Sequence, residues 1–221
     1  IKKIYNLFLR IFDNTLITLN LKNTASKFYK NNCLSNPDLK IKYIYFPLHY
    51  QPELSTSPLA ENYFTQELII ESLSMSVPDD IQIYVKDHPR LSFNRTIDFY
   101  KRIISMSNVR LLSTNINSYK LIDNSIAVAT ATGSVGWESF HRNKPVIMFG
   151  RRFYQYAPGI FKVNSLHECT NVIKNIISDK KNYKSLKEKY LFALNYFVFR
   201  GFNSLTKKNI SSISNKENII N

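Results

Sequence analysis

The sequence predicts a doubly wound α/β domain, a parallel sheet with flanking helices. Three observations predict it. From Lys40 onward, short runs rich in β-branched and aromatic residues alternate with amphipathic stretches, the pattern of βαβ units. Two of these runs, IAVAT at 126–130 and PVIMF at 145–149, are apolar without alternation, as strands covered on both faces are. Finally, 221 residues with 44% hydrophobic and 14% aromatic content can build a sizeable core, which excludes a disordered chain.

Taken in order, residues 1–32 read as one or two amphipathic helices, with Ile4, Leu7, Phe8 and Ile11 at helical spacing. Such a segment either packs on the main domain or lies on a membrane surface, and the pattern allows both. The polar stretch 31–37 reads as a linker. Residues 41–48 (IKYIYFPL) read as the first strand, and 61–74 as a helix with Phe64, Leu68 and Leu73 beside Gln66, Glu67 and Glu71. Strand 81–85, helix 94–105, strand 109–112 and a short helix 116–123 follow. Strand 126–130, helix 134–142 and strand 145–149 come next, and helices 166–178 and 183–199 close the unit. The expected organisation is a helical segment and linker over 1–40, the α/β domain over 41–204, and a polar tail over 205–221.

The formal net charge is +14, and its distribution is uneven. Residues 1–40 carry seven Lys/Arg against two acids, residues 41–150 ten against ten, and residues 151–221 thirteen against four. A nucleic-acid reader places its basic stripe on the reading element, and here the centre is neutral, so no nucleic-acid partner is expected. Basic flanks suit an anionic membrane surface, an anionic glycan or plain solubility. No apolar run reaches the roughly 20 residues of a membrane span. Arg10 and Asp13 interrupt the apolar start, which argues against a secretory leader, and Ile1 in place of Met suggests a piece of a longer protein. Cys33 and Cys169 cannot make a disulfide framework and show no zinc-ligand spacing, so a reducing compartment and no metal are expected.

In open parallel sheets, ligands bind beyond the carboxyl ends of the strands. Four unusual polar segments fall on that edge: PLHYQPE at 47–53, KDHPR at 86–90, ATGSVGWE at 131–138 and FGRRFY at 149–154. Thr132, Gly133, Ser134, Val135 and Gly136 span a strand-to-helix turn where glycine permits close backbone approach and helix-start amides favour an anion. The P-loop and GxGxxG spacings are absent, and a tight turn with Ser134 as helix cap explains the serine equally well. Glu138 lies one turn from Ser134 on the same face, placed to accept from a ribose diol, or else to stand solvated in the helix's first turn. Lys86, His88 and Arg90 gather cationic side chains after a strand, with Pro89 holding His88 extended. A histidine so placed can bind or protonate a phosphate oxygen of a leaving nucleotide. His49, Gln51 and Glu53 follow the first strand and could bond a sugar or diphosphate, or serve the loop itself. Arg151 and Arg152 could clamp an anion or stand solvated. No DxD triplet and no GxSxG or Cys/His arrangement occurs.

As a set, PLHYQPE with STSPLAE, VKDHPR, TATGSVGWESF and KPVIMFG with FY resemble the capsule polysaccharide biosynthesis family, bacterial glycosyltransferases that include Kdo transferases of capsule assembly. The matching segments run in order over about residues 41–154. The resemblance implies a Rossmann-like domain of the GT-B C-terminal type, which holds the nucleotide-sugar donor. His88 would contact the donor phosphate, Ser134 and the turn amides phosphate or nucleoside, and Glu138 the ribose. Lys86, Arg90, His49 and Gln51 would line the same cleft.

Expected partners are therefore a nucleotide-sugar donor, a glycan or glycolipid acceptor and an anionic inner-membrane surface, with no cofactor or metal beyond the donor itself. The expected location is cytoplasmic, peripheral to the inner membrane. Residues 1–40 are too short for the acceptor-binding half of such an enzyme, so transfer by this chain alone is expected to be poor. The alternative is a non-catalytic nucleotide-binding or assembly module of the polysaccharide machinery.

Overall fold

In the computed structural model the described residues are 24–49, 59–60, 63, 65–89, 95–178 and 183–197. They belong to two compact units divided after Lys181. In the first unit a helix over residues 24–32, α1, precedes β1 (Tyr43–Pro47), α2 (Gln66–Ser76), β2 (Gln82–Lys86), α3 (Ile97–Ile104) and β3 (Val109–Leu112). There follow α4 (Ser118–Asn124), β4 (Ala127–Thr130), α5 (Ser134–His141), β5 (Val146–Met148), β6 (Ile160–Lys162) and α6 (Leu166–Ser178). The second unit contains α7 (Lys184–Phe197). Among the described residues no helix is long and apolar enough to cross a membrane.

The strands among the described residues form one parallel sheet in the order β3-β2-β1-β4-β5-β6. This is the Rossmann-like doubly wound arrangement, in which the chain reverses its direction of travel between β1 and β4. β1 shows why the strands read as they do. Ile44 and Phe46 pack on one side with Tyr29 of α1, Ile69, Ile70 and Leu73 of α2, Tyr100 and Ile103 of α3 and Ile173 of α6. Tyr43 and Tyr45 pack on the other side with Leu121 and Ile122 of α4. Both faces are covered, so both sets of positions must be apolar or aromatic. The buried tyrosines keep their hydroxyls bonded: Tyr43 donates to the Leu121 carbonyl at 2.8 Å and Tyr84 to that of Asp38 at 2.8 Å, while their rings stack at 4.4 Å.

Local chemistry sets the helix ends. Thr96 accepts from the Phe99 amide at 3.3 Å, and Asn117 from the amides of Tyr119 at 2.8 Å and Lys120 at 3.3 Å. α5 stops in a Schellman arrangement: Asn143, at φ 57°, donates to the Phe140 carbonyl at 3.1 Å, and Lys144 to that of Ser139 at 3.0 Å.

Two features differ from the sequence reading. β6 was not expected, because three residues after Gly159, itself at φ 82°, are too few to show a period. Its pairing is nevertheless regular, with Val146 donating to the Gly159 carbonyl at 2.9 Å and Val163 to that of Met148 at 2.8 Å. Within the stretch read as a linker, Leu34 bridges to Leu112 at the outer edge of β3. Its amide donates to Leu111 and its carbonyl accepts from Ser113, both at 2.8 Å. Backbone atoms alone make this contact, so polar composition gives no sign of it.

Candidate functional site

The strand order reverses between β1 and β4, and in open parallel sheets ligands bind at the carboxyl edge of such a reversal. In this chain that edge carries His49, two residues past β1 and buried. Its Nε2 lies 3.1 Å from Thr130 Oγ1 at the end of β4 and accepts the Ala131 N–H at 3.3 Å. The His49 backbone is held as well: its N–H donates to Gln66 Oε1 at 2.7 Å, and its carbonyl accepts from Gln66 Nε2 at 3.3 Å and from the Arg95 guanidinium. Burial, then the nearby Arg95 and Arg152 charges, push the His49 imidazole down to about 4, so it is neutral near pH 7.

The turn from β4 into α5 carries the second part of the site. Thr132 is buried and Val135 half-buried. Gly133, not Ser134, occupies the cap position of α5, and its amide donates to Thr130 Oγ1 at 2.9 Å. Among the described residues no side-chain cap bond is made at the start of α5, since its cap residue is a glycine. Ser134 is instead the first helical residue, and its hydroxyl donates to Glu138 Oε1 at 3.1 Å, one turn along the same face. A helix start with no side-chain acceptor leaves its positive end available to an anion, with a carboxylate alongside.

The glycines have a different use from the one their position suggested. A Cβ at Gly133 would lie 2.7 Å from His49 Cε1, and one at Gly136 would lie 2.6 Å from the Tyr154 hydroxyl. Close approach here is to the protein's own side chains. Tyr154 also donates to the Gly133 carbonyl, tying the segment after β5 to the turn. Trp137 extends this packing, with ring centroids 4.9 Å from Phe140, 4.6 Å from His141, 5.3 Å from Phe153 and 5.9 Å from Tyr154. Phe153 and Tyr156 remain exposed. Arg152 follows β5 with its Nε buried and without a hydrogen-bond partner.

After β2 the segment divides its labour. Lys86 is buried and donates to the Ile116 carbonyl at 2.8 Å and to Ser118 Oγ at 2.5 Å, and burial lowers its pKa. It fastens the approach to α4. Asp87 is the hub: its carboxylate takes the Arg95 guanidinium, the Tyr100 hydroxyl and, at 2.7 Å, the His88 amide. Its own amide donates to Tyr29 Oη at 3.0 Å. His88 is half-buried at the end of this strand, beside the loop that carries His49, because Leu48 donates to the Lys86 carbonyl at 2.8 Å. Arg90 and Gln51 lie outside the described residues, as does Glu53.

The structure thus brings His49, Thr132, Gly133, Ser134, Gly136 and Glu138 around one turn and sets Lys86 and His88 on the neighbouring strand end. Sequence reasoning missed Thr130, Arg95, Tyr100 and Tyr154. Thr130, as the one hydroxyl in the run IAVAT, was the available signal. Among the described residues no three metal-ligating side chains converge.

The β-Kdo 2,7-transferase KpsC of Thermosulfurimonas dismutans is similar in structure, at 18% identity and TM-score 0.47, over 72% of this chain and 52% of that one. UDP-GlcNAc 2-epimerase of Methanocaldococcus jannaschii matches at 15% identity and TM-score 0.50, over 81% of this chain and 53% of that one. HepE of Anabaena, in a complex with UDP-glucose, matches at 14% identity and TM-score 0.44, over 70% and 49%. The chain spans about half the length of these structures. No curated protein matches the sequence. The family model for capsule polysaccharide biosynthesis proteins matches residues 57–197, from before α2 through α7, and takes in both the α5 turn and the His88 segment. The chain belongs to the capsule polysaccharide biosynthesis protein family.

Proposed function

We propose that this chain binds the nucleotide part of a sugar donor at its carboxyl edge, as the donor-binding half of a glycosyltransferase of surface polysaccharide synthesis. The observation that carries the reading is the start of α5, without a side-chain cap and with Glu138 one turn in, beside the β1/β4 reversal. The helix start takes a phosphate, Glu138 accepts from the ribose hydroxyls, and His88 faces the phosphate that departs. In transfer, the bond from the anomeric carbon to the phosphate oxygen breaks and a bond to an acceptor hydroxyl oxygen forms. The acceptor proton passes to a base, and the charge left on phosphate is met by the helix dipole and His88.

The acceptor in this reading is a glycan or glycolipid. The thirteen Lys/Arg against four acids over residues 151–221 favour work at an anionic membrane surface on the cytoplasmic side. Sedimentation with anionic vesicles at low salt tests that part, and a chain that stays in the supernatant refutes it. A non-catalytic nucleotide-binding or assembly module is the second reading. It is favoured by the commitment of Lys86 and Asp87 to internal bonds, which takes both from the set of groups that could meet a ligand.

Calorimetric titration with CMP, UDP and GDP tests the donor reading. Saturable binding of one of them is expected, weakened about tenfold or more by Glu138→Gln and by His88→Ala, as for loss of a hydrogen bond to a charged partner. A folded chain that binds none of the three refutes it.

A further inference from the structure

Gly133, Thr130, His49 and Ala131 form a chain of hydrogen bonds whose direction is set by its ends. A backbone N–H only donates, so the Ala131 amide 3.3 Å from His49 Nε2 requires a lone pair on that nitrogen. The Gly133 amide, 2.9 Å from Thr130 Oγ1, likewise makes that oxygen an acceptor. The Thr130 hydroxyl proton is then directed to Nε2, 3.1 Å away. The neutral imidazole with its proton on Nδ1 accommodates all three contacts, the Thr130 O–H and the Ala131 N–H sharing the one lone pair of Nε2. The other tautomer, or an imidazolium, sets an N–H on Nε2 against the Ala131 N–H.

The surroundings favour that state. The ring is buried, and among the described residues the charged groups that act on it are the guanidiniums of Arg95, before α3, and Arg152, after β5. The Asp87 carboxylate at the end of β2 is bonded to Arg95 and Tyr100. Gln66, from α2, contributes a neutral amide to the His49 backbone. The ring edge also bears on the turn itself, since a Cβ at Gly133 would meet His49 Cε1.

We propose that His49 is a positioning residue: as the neutral imidazole protonated on Nδ1 it holds the 131–133 turn through Thr130 and Ala131, and protonation on Nε2 releases that turn. The anion served by the turn is a nucleotide phosphate, so this inference rests on the donor reading, but the turn can be read without ligand.

Proton–nitrogen correlation spectra of the full chain supply the test. His49 is expected with its proton on Nδ1 at neutral pH, and the Gly133 and Ser134 amide signals should move with the His49 midpoint as the solution is acidified. Thr130→Val should uncouple those amides from the histidine, and Thr130→Ser should keep them coupled. Whichever of CMP, UDP and GDP binds should lose about tenfold in affinity with Thr130→Val and less than about threefold with Thr130→Ser. A proton on Nε2 at neutral pH, or amides that ignore the His49 titration, overturns the proposal. Coupled titration with no nucleotide bound upholds the positioning role and removes the donor reading alone.

Discussion

Arg95 and Asp87 form an ion pair closed off from solvent, their side chains 2% and 0% exposed. The pair joins the end of β2 to the entrance of α3. Through the Arg95 bond to the His49 carbonyl it also reaches the loop after β1. Tyr100 and Tyr29 complete the shell around Asp87, and burial raises both phenol pKa values, so they stay neutral hydrogen-bonding groups. A buried pair of this kind contributes little net stability as a pair, yet losing one partner strands the other charge.

Asp87→Ala should therefore destabilise the fold by about 3–5 kcal/mol, and Arg95→Met by a similar amount. Urea unfolding followed by circular dichroism measures both. The double variant Asp87→Ala/Arg95→Met should lose much less than the two single losses combined, and strict additivity would show that the pair is not coupled.

Gly136→Ala should cost about 1–3 kcal/mol, because the new methyl would lie 2.6 Å from the Tyr154 hydroxyl. In a Tyr154→Leu background the same change should be much milder. Thermal unfolding of the four chains decides it, and equal losses in both backgrounds would locate the strain elsewhere.

Stability should decline as the pH falls from about 6.5 to about 4. His49 titrates near 4 in the folded chain, and an unfolded histidine near 6.5. Between these values the unfolded chain binds more protons, so acid favours unfolding, by about 3 kcal/mol at the lower limit. His49→Phe should flatten that slope relative to wild type. Unfolding free energies at pH 7, pH 5.5 and pH 4.5 give the comparison, and identical slopes would exclude His49 as the source.

Ser134→Ala frees one oxygen of Glu138 and removes a short-range bond on the surface of α5. Stability should change by less than about 0.5 kcal/mol. Nucleotide affinity should respond more strongly than stability, in either direction, because the same two groups face the helix start. An unchanged Kd for every nucleotide that binds would remove Ser134 from the site.

Strands were legible where burial on both faces leaves a continuous apolar run, as in IAVAT and PVIMF, and β4 and β5 stand within those runs. The amphipathic helices at 134–142 and 166–178 were legible for the same local reason, since their apolar spacing is written within a few turns. β6 was not, because it is too short for a period. The capping of α5 was also misplaced by one residue. Serine is a good cap in isolation, but here the turn is held by Thr130 Oγ1 and the Tyr154 hydroxyl, which no local rule anticipates.

The candidate site divides in the same way. Glu138 and Ser134 were paired from their spacing alone, and the structure joins them at 3.1 Å. Lys86 and Asp87 looked like members of a cationic cluster and its neighbour, but both are bound to atoms of α3, α4 or the segments leading into them.

By itself the sequence determined the order of strands and helices apart from β6, and its ordered set of motifs pointed to the family to which it belongs. The elements depend on periods and turns that span only a few residues, while the family rests on a set of motifs spread along the chain. The tertiary structure alone decided what the buried polar groups do. His49 meets Thr130 across 81 positions of chain and Tyr29 meets Asp87 across 58. A buried donor or acceptor must find its partner wherever packing brings one, and no local spacing records that partner in advance.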